Sequence, residues 1–455
     1  MKEVKVLAAT GLLGTGFLEA SFERAMKLKP DVIGCDAGST DPGPYYLGAG
    51  IPMSSREAVK RDLRIMISGG IKYGIPVLVG SAGTAGGRPH VDWTVEIVEE
   101  IATEDDLHFK LAVIQSEIEK ETFADYWKNG KVKDLQPAPE ITEKSIDSLE
   151  RIVGLMGPEP YIHALKEGAQ VVIAGRSSDI SIYTAVPIMK GIGEGPAWHA
   201  AKVLECGTGS VEHRLYPDCL MAWVREDSFR VEPMSPEMRC TPVSVVSHTL
   251  YENSNPFQLV EPSGVLDTSA STYHEDGDRG VRVKNSKFHH AQAYTVRVEG
   301  VEKAGYRQIA VGGIRDPIVL KQLDSFLYGV EASIKKKVKA SLGLDSSRYQ
   351  LHFRIYGKSG SMGVLEPIAR LEGHEAGIVM EVLAETEELA HSIMAIVWHT
   401  ALHHPVKEWS GLASQIAFPY SPPNIALGVC YRFSLNHVIE LDDPLELVSF
   451  TYRMT

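Results

Sequence analysis

Two aspartates and two hydroxyl residues stand close together after a short apolar run. Asp36 and Asp41 enclose Ser39 and Thr40. Neighbouring carboxylates can divide acid and base roles or bind a divalent cation such as Mg²⁺, while the hydroxyls position a substrate oxygen. Alternatively, the aspartates only shape the turn, as Asp41 before Pro42 would favour. We predict catalytic roles for Asp36, Asp41, Ser39 and Thr40. The two aspartates are the predicted ligands of any bound metal ion.

Four further loops in the first 180 residues repeat this mixture of glycine, hydroxyl and charged residues. Asp179 is a further catalytic candidate, although it could instead cap a helix. Glycines let backbone amides approach a ligand, and arginines can hold a carboxylate. The glycine spacing after the first apolar run is not GxGxxG, so a dinucleotide site is not favoured. The predicted substrate-binding residues are Gly14, Gly16, Ser81, Gly83, Thr84, Arg88, Arg176 and Ser177.

Short apolar runs precede each of these loops and predict strands buried on both faces of a sheet. The predicted strands are 4–9, 32–35, 77–79, 110–114 and 171–174. The predicted helices lie near 17–29, 55–73, 91–103 and 145–167. This alternation predicts an α/β domain over residues 1–205 with a mostly parallel sheet, because right-handed crossovers bring all strand ends to one edge. The five loops should therefore face one crevice.

The second half of the chain predicts an α+β domain over residues 206–455. A strand is predicted at 241–247 and an irregular loop at 250–288. The segment 306–435 has the order β-α-β-β-α-β, which is the ferredoxin-like or split βαβ pattern. A chain of this size with such a half favours a homo-oligomer.

Several other polar residues invite a functional interpretation. His199, Lys202 and Glu205 share one face of a predicted helix, and a surface ion pair is the favoured interpretation. His399 and His403 have i, i+4 spacing that can hold a metal, but no acidic residue completes an HExxH motif. We therefore do not predict a metal there.

Composition excludes several classes of protein. The chain has 455 residues, 44% hydrophobic and 23% charged, with a net charge of −13. Such an acidic chain is not expected to bind nucleic acid or an anionic membrane over its whole length. Its five cysteines are scattered and lack CxxC spacing, which argues against a disulfide framework and a thiolate zinc site. With no signal peptide or long apolar run, a cytoplasmic, unanchored protein is predicted.

The order of motifs along the chain resembles the acyclic terpene utilisation AtuA family. The motifs that carry the resemblance are Gly11–Phe17, Asp36–Tyr45, Gly80–Gly83, Ala174–Asp179, Ser247–Asn253, Gly312–Pro317, Met362–Pro367 and Phe433–His437. The resemblance implies a place in the breakdown of terpenoid or other branched acids. It also implies a small companion subunit, because some family members occur with a small additional domain that is not evident in this chain.

These observations favour a lyase, either a hydratase/dehydratase or a C–C lyase, acting on a branched carboxylic acid or its acyl-CoA thioester. A carboxylate would remove a proton next to the carbonyl, and hydroxyls with backbone amides would stabilise the enolate oxygen. A hydrolase using the same crevice is an alternative, although no G-x-S-x-G elbow is present. Another alternative is a non-catalytic ligand-binding or assembly subunit.

Overall fold

The computed structural model describes residues 2–368, 370–408 and 414–455. These residues form two compact units. The first unit runs to Glu302 and includes Phe433–Thr455, and the second is Lys303–Arg432. The boundary predicted near residue 205 falls inside the first unit. Within the described ranges, no helix combines the length and apolar character needed to cross a membrane.

The strands of the described residues are β1 (Glu3–Ala8), β2 (Val32–Gly38), β3 (Val77–Thr84), β4 (Lys110–Gln115), β5 (Val132–Asp134), β6 (Leu149–Leu155), β7 (Val171–Ala174), β8 (Leu220–Arg225), β9 (Ser228–Pro233), β10 (Gln258–Glu261), β11 (Gly264–Asp267), β12 (Thr272–Glu275), β13 (Val281–Lys284), β14 (Lys287–His290), β15 (Tyr294–Ile314), β16 (Tyr349–Tyr356), β17 (Ala376–Ala384), β18 (Asn424–Phe433), β19 (His437–Leu441) and β20 (Ser449–Met454).

The α-helices of the described residues are α1 (Glu19–Lys27), α2 (Tyr45–Ala49), α3 (Arg56–Tyr73), α4 (Arg88–Glu104), α5 (Lys120–Lys128), α6 (Glu143–Asp147), α7 (Glu159–Lys166), α8 (Ser181–Met189), α9 (Glu194–Leu204), α10 (Pro242–Leu250), α11 (Pro317–Lys321), α12 (Leu323–Leu342) and α13 (Glu387–Leu402). Short 3₁₀ turns lie at Gly207–Ser210, Ser346–Arg348 and Gly363–Leu365.

The main sheet of the first unit has the strand order β12-β13-β9-β8-β1-β2-β3-β7-β4-β20. Its five central strands are the predicted ones, and each pairs in parallel with its neighbours. The flanking strands join them antiparallel. Strands buried on both faces become continuously apolar, as in Val171–Ala174, whose residues are fully buried. The prediction of an α/β fold with parallel strands in the N-terminal part is confirmed.

The second unit contains the end of β15, β16, β17 and β18 with helices α11 to α13. Its strands have the order β16-β17-β15, with β18 also paired to β15. β17 lies antiparallel to both β15 and β16. The later sheets of the chain are therefore antiparallel, in agreement with the α+β prediction at this coarser level.

Three local predictions were wrong. The helix predicted over 145–167 is a strand followed by a helix, β6 and α7. The strand predicted at 241–247 is helix α10, because Thr241 and Ser244 form a capping box at its start. The region 250–288, predicted as irregular, contains short antiparallel strands.

Candidate functional site

The carboxyl ends of β2, β3 and β7 lie side by side at one edge of the main sheet, as the order of strands requires. Asp36 lies near the end of β2, and Arg176 lies just after the end of β7. Gly38 permits the approach of these segments, because a Cβ there would lie 2.5 Å from the Ser81 Cβ and 2.9 Å from Arg176 Nη1. The predicted convergence of these loops is therefore present for Asp36, Ser81 and Arg176.

Arg176 is the centre of a buried hydrogen-bond network. Its Nε and Nη2 donate to the two carboxylate oxygens of Glu299, each at 3.1 Å. Its Nη1 donates to Ser81 Oγ at 3.1 Å and to Asp179 Oδ1 at 3.2 Å. Burial would lower the pKa of Arg176, but the charges of Glu299 and Asp179 outweigh burial and raise it. The guanidinium is thus permanently charged, and it is already hydrogen-bonded to the carboxylates of Glu299 and Asp179.

Asp36 is a buried carboxyl with one unused oxygen. Its Oδ2 accepts from the Gly38 amide at 3.1 Å, while Oδ1 is buried and has no hydrogen-bond partner among the described residues. Burial, reinforced by the Asp179 carboxylate, raises the pKa of Asp36 well above its usual range despite Arg176. Asp36 therefore holds a proton more readily than an ordinary aspartate does.

The other two predicted carboxylates are exposed. The Asp179 side chain is 49% exposed and pairs with Arg176. It does not cap α8, whose start carries no side-chain cap. Asp41 is exposed, and its own amide donates to Ser39 Oγ at 3.2 Å, so this segment forms a side-chain-stabilised turn.

The predicted binding hydroxyls of Ser81 and Ser177 are fully buried and already bonded. Ser81 Oγ donates to the Ser177 carbonyl at 3.2 Å and accepts from Arg176 and from the Ser177 amide. The Ser177 hydroxyl pairs with the Tyr161 hydroxyl at 2.8 Å. These two serines therefore hold Arg176 and its loop in place.

The last residues of β3 have an unusual backbone. Ser81 and Thr84 have positive φ angles of 48° and 87°, which side chains with a Cβ rarely adopt. Gly83 is required by close packing, since a Cβ there would lie 2.7 Å from the His90 Cβ. Thr84 is fixed at both ends, because its Oγ1 accepts from the Met53 amide and its carbonyl accepts from the Ser39 amide. Such strain is concentrated at functional sites in proteins.

The amides of Gly14 and Gly16 have an internal partner. Both donate to Asp62 Oδ2 at 3.0 Å, and Asp62 is fully buried on α3. A substrate bound by these amides would have to displace that carboxylate. The geometry thus gives the glycine loop a structural anchor at the position where substrate binding was predicted.

Arg88 is the first residue of α4, and the Glu117 carboxylate lies at this N-terminal end of the helix. Its backbone amide donates to Glu117 Oε2, and its guanidinium contacts Glu119 at 3.1 Å. Glu117 in turn pairs with Arg151 at 2.9 Å. The Arg88 side chain is 52% exposed, so it is a more accessible cation than Arg176.

A narrow cleft brings four of the predicted residues together. Its lining consists of Ser39, Thr40, Gly43, Tyr46, Leu47, Thr84, Ala85, Arg176, Glu299 and Phe433. Asp36, Asp41 and Asp179 are not among these residues. A second cavity, of about 400 Å³, lies at the opposite edge, where β2, β3 and β7 begin. We favour the narrow cleft as the ligand site, because the carboxyl ends of parallel strands carry the polar loops.

Sequence reasoning missed two acidic groups in or near this site. Glu299 comes from the start of β15, which pairs with β6 and places Glu299 opposite Val153. Glu261 ends β10, and burial raises its pKa to about 8. Neither carries a motif that a sequence search would find. Lys202 and Glu205 were predicted at the surface, but their side chains are only 5% and 10% exposed, so that prediction was wrong.

One group of three metal-ligating side chains in the described ranges has ligand atoms within 4.8 Å of one another. It consists of Glu205, Cys206 and His248, and it includes neither Asp36 nor Asp41. The divalent cation predicted at the two aspartates stays a prediction.

The comparison with known protein families matches residues 60–211 to the acyclic terpene utilisation family protein AtuA. The matched stretch contains the loops after β3, β4 and β7, and it confirms the resemblance predicted from the sequence motifs. The comparisons with curated proteins and with solved structures found no match.

Proposed function

We propose, from the AtuA family match and the site geometry, that the chain is a lyase of the hydratase/dehydratase type. Its substrate would be a branched carboxylic acid or the acyl-CoA thioester of one. The supporting observation is that two carboxyls in unequal environments, Asp36 and Asp179, share the field of one buried guanidinium, Arg176. Pairs of carboxyls that are separated in this way divide acid and base roles in enzymes.

In the proposed dehydration, Asp179 is the base because its carboxylate is half exposed and reachable by a substrate. It takes the proton next to the carbonyl, and that C–H pair becomes the new double bond while the neighbouring C–O bond breaks. The hydroxyl leaves as water with the proton of Asp36, which is buried outside the cleft in this structure, so this step requires the segment around Asp36 to open. Hydration is the same sequence in reverse.

Tyr46, Leu47 and Phe433 offer apolar contact beside the hydroxyls of Ser39 and Thr40, but the cleft encloses only about 10 Å³, so a branched substrate requires it to open. The guanidinium of Arg176 is already bonded to Glu299 and Asp179, so its role in the proposal is to position the two catalytic carboxyls. Arg88 is the more accessible group for a substrate carboxylate or a CoA phosphate.

The test is an assay of purified protein with 3-methyl-3-hydroxy acids and 3-methyl-2-enoic acids, each free and as the CoA thioester. Mass spectrometry distinguishes the outcomes. A change in mass by the elements of water supports a hydro-lyase, and two smaller fragments indicate a C–C lyase. Release of free CoA with the acid unchanged would contradict the proposal in favour of a hydrolase.

A matched variant pair links any activity to the site. Asp179→Asn should abolish it, whereas Asp442→Asn, in an exposed pair with Lys131, should retain it. No conversion of any substrate, with thermal stabilisation by one of them, would contradict the lyase proposal and favour the non-catalytic ligand-binding subunit.

We further infer that the second unit is ferredoxin-like. The support is its order of strand, helix, strand, strand, helix, strand, with β15 between β17 and β18. A homo-oligomer and a small companion subunit belong to the same proposal. Size-exclusion chromatography with light scattering, together with a pull-down from the native host, tests both.

A further inference from the structure

Three side chains with different ligand chemistry meet at the end of α9. Glu205 and Cys206 follow this helix directly, and His248 lies in the last turn of α10. A carboxylate oxygen of Glu205, the Sγ of Cys206 and a ring nitrogen of His248 all lie within 4.8 Å of one another. The proposed proton transfer does not use these three residues, and the family match, which covers Glu205 and Cys206 but not His248, assigns no role to any of them.

The His248 ring supplies an independent indication of a ligand. The residue is only 7% exposed, and its Nε2 is buried with no hydrogen-bond partner among the described residues. That nitrogen lies 3.9 Å from Glu205 Oε1. The ring also bonds to the backbone of Lys202. Because Nε2 is unpaired, that bond involves Nδ1, and it leaves the Nε2 lone pair directed at Glu205 and Cys206.

We infer that Glu205, Cys206 and His248 form a binding site for a divalent transition-metal ion, with Zn²⁺ as the best match. Thiolate and imidazole ligands favour zinc over magnesium or calcium, which prefer oxygen alone. Ligand bonds of about 2.0–2.3 Å put tetrahedral ligand atoms roughly 3.5 Å apart, so the three side chains need to close by about 1 Å. Three protein ligands leave a fourth position for water or substrate, as in catalytic zinc sites.

Lys202 is the cation that such an ion would meet. Its Nζ donates to Glu205 Oε1, and it is 4% exposed. This contact orients the carboxylate in the way that outer-shell partners orient metal ligands. Among the charged neighbours of Glu205, Lys202 has the largest effect, ahead of the opposing charges of Asp179 and Glu252. A bound cation therefore has to displace the Lys202 Nζ from the Glu205 carboxylate.

Binding has a defined proton balance. The Cys206 thiol loses its proton to solvent as the sulfur–metal bond forms, while the neutral His248 ring gives up none. This inference does not rest on the proposed lyase, because it concerns the binding of an ion and not turnover.

The test uses Co²⁺ as a spectroscopic probe and Zn²⁺ as its competitor, on the full chain treated with a chelator and then desalted. We expect one equivalent of Co²⁺ to produce a thiolate-to-cobalt charge-transfer band and the visible bands of four-coordinate cobalt. An equivalent of Zn²⁺ should remove both. Titration calorimetry in buffers of different ionisation enthalpy should report proton release on Zn²⁺ binding.

Variants assign the ligands. Cys206→Ser should abolish the charge-transfer band, and His248→Gln and Glu205→Gln should each weaken Zn²⁺ binding at least about tenfold. The matched controls are Cys430→Ser, a buried thiol of the second unit, and His403→Gln, which belongs to the exposed i, i+4 histidine pair. Both controls should bind as the parent protein does. Circular dichroism checks that each variant is folded.

Three results would overturn the inference: no thiolate band with the parent protein, a band that survives Cys206→Ser, or Zn²⁺ binding lost in His403→Gln but kept in folded His248→Gln. If Cys206→Ser does not fold, the His248→Gln and Glu205→Gln titrations decide the question alone. Because every readout is binding, a negative result leaves the lyase proposal standing, and an inactive enzyme leaves this site standing.

Discussion

Arg176 and Glu299 form a two-pronged ion pair, in which Nε and Nη2 of the arginine each lie 3.1 Å from one carboxylate oxygen. The side chains are 7% and 13% exposed. They come from a loop after β7 and from the start of β15, far apart in the chain. The pair fixes the guanidinium in one orientation, with its remaining donors toward Ser81 and Asp179.

Glu299→Gln should destabilise the protein by about 3 kcal/mol, because a buried charge then loses its main partner. The cost stays near the lower end of the range for such changes, since Asp179 and Ser81 still contact Arg176. Urea denaturation measures the free energy of unfolding. Glu119→Gln, which breaks the exposed Arg88 pair, is the control and should have almost no effect. An equal loss of unfolding free energy in the two variants would show that the buried pair stabilises the protein no more than the exposed pair does.

Gly86→Ala should be more destabilising than Gly168→Ala. Both glycines have positive φ angles, 65° and 84°, so both substitutions bear the cost of a left-handed backbone, about 1–2 kcal/mol. A Cβ at Gly86 would also lie 2.2 Å from the Arg176 backbone nitrogen, whereas a Cβ at Gly168 has no atom within 4 Å. We expect an additional loss of about 1–3 kcal/mol for Gly86→Ala from this overpacking.

Thermal and urea unfolding of the two glycine variants measure that difference. If they lose the same stability, the loops after β3 and β7 are not packed as described.

Glu261 should make stability depend on pH. Burial raises its pKa to about 8, and the carboxylates of Glu205 and Asp179 act in the same direction, against Ser178 and Lys202. The folded state therefore holds a proton that the unfolded state releases near pH 4.3, so this group's contribution falls as pH rises from about 4.3 to 8. Glu261→Gln removes the effect.

The free energy of unfolding of Glu261→Gln, minus that of the parent, should increase between pH 5 and pH 8 by at most about 1.4 kcal/mol per pH unit. Urea denaturation at several pH values measures it, and subtraction cancels the other titrating groups. A difference that stays constant over this range would mean that Glu261 is ionised in the folded state.

His199 should make the protein sensitive to acid. Burial lowers its pKa to about 3, and its two ring nitrogens bond to Ser286 and Thr249. In the unfolded state His199 binds a proton near pH 6.5, whereas in the folded state it stays neutral until about pH 3. Stability is therefore lost as pH falls from about 6.5 toward 3. His199→Gln should lose less stability than the parent between pH 7 and pH 5. A parallel loss in both proteins would assign acid sensitivity to other groups.

The parallel core could be predicted because its strands are buried on both faces and so are continuously apolar. Local pattern failed where distant contacts decide the structure. Residues 149–155 became a strand because β15 pairs with them, and the Val-rich segment after Thr241 became a helix because its start is capped. The β15 partner lies far along the chain, whereas the Thr241–Ser244 capping box is a local signal that could have predicted the helix.

The candidate site could also be predicted only in part. The strand-end loops were found because glycine, hydroxyl and charged residues cluster there. The role of each residue in these loops could not be predicted. Hydrogen bonds to other residues of the protein already occupy the hydroxyls of Ser81 and Ser177 and the amides of Gly14 and Gly16. Glu299 was missed because its neighbour Arg176 is more than a hundred residues away along the chain.

The exchange of the substrate's α-proton with solvent deuterium, followed by NMR, tests the central claim most directly, because proton removal can be seen even when no net product forms. The parent protein should exchange the α-proton of the branched acid or thioester that it binds, and folded Asp179→Asn should slow exchange at least a hundredfold. Exchange that proceeds equally in Asp179→Asn, or a bound ligand that never exchanges in the parent, would contradict the account.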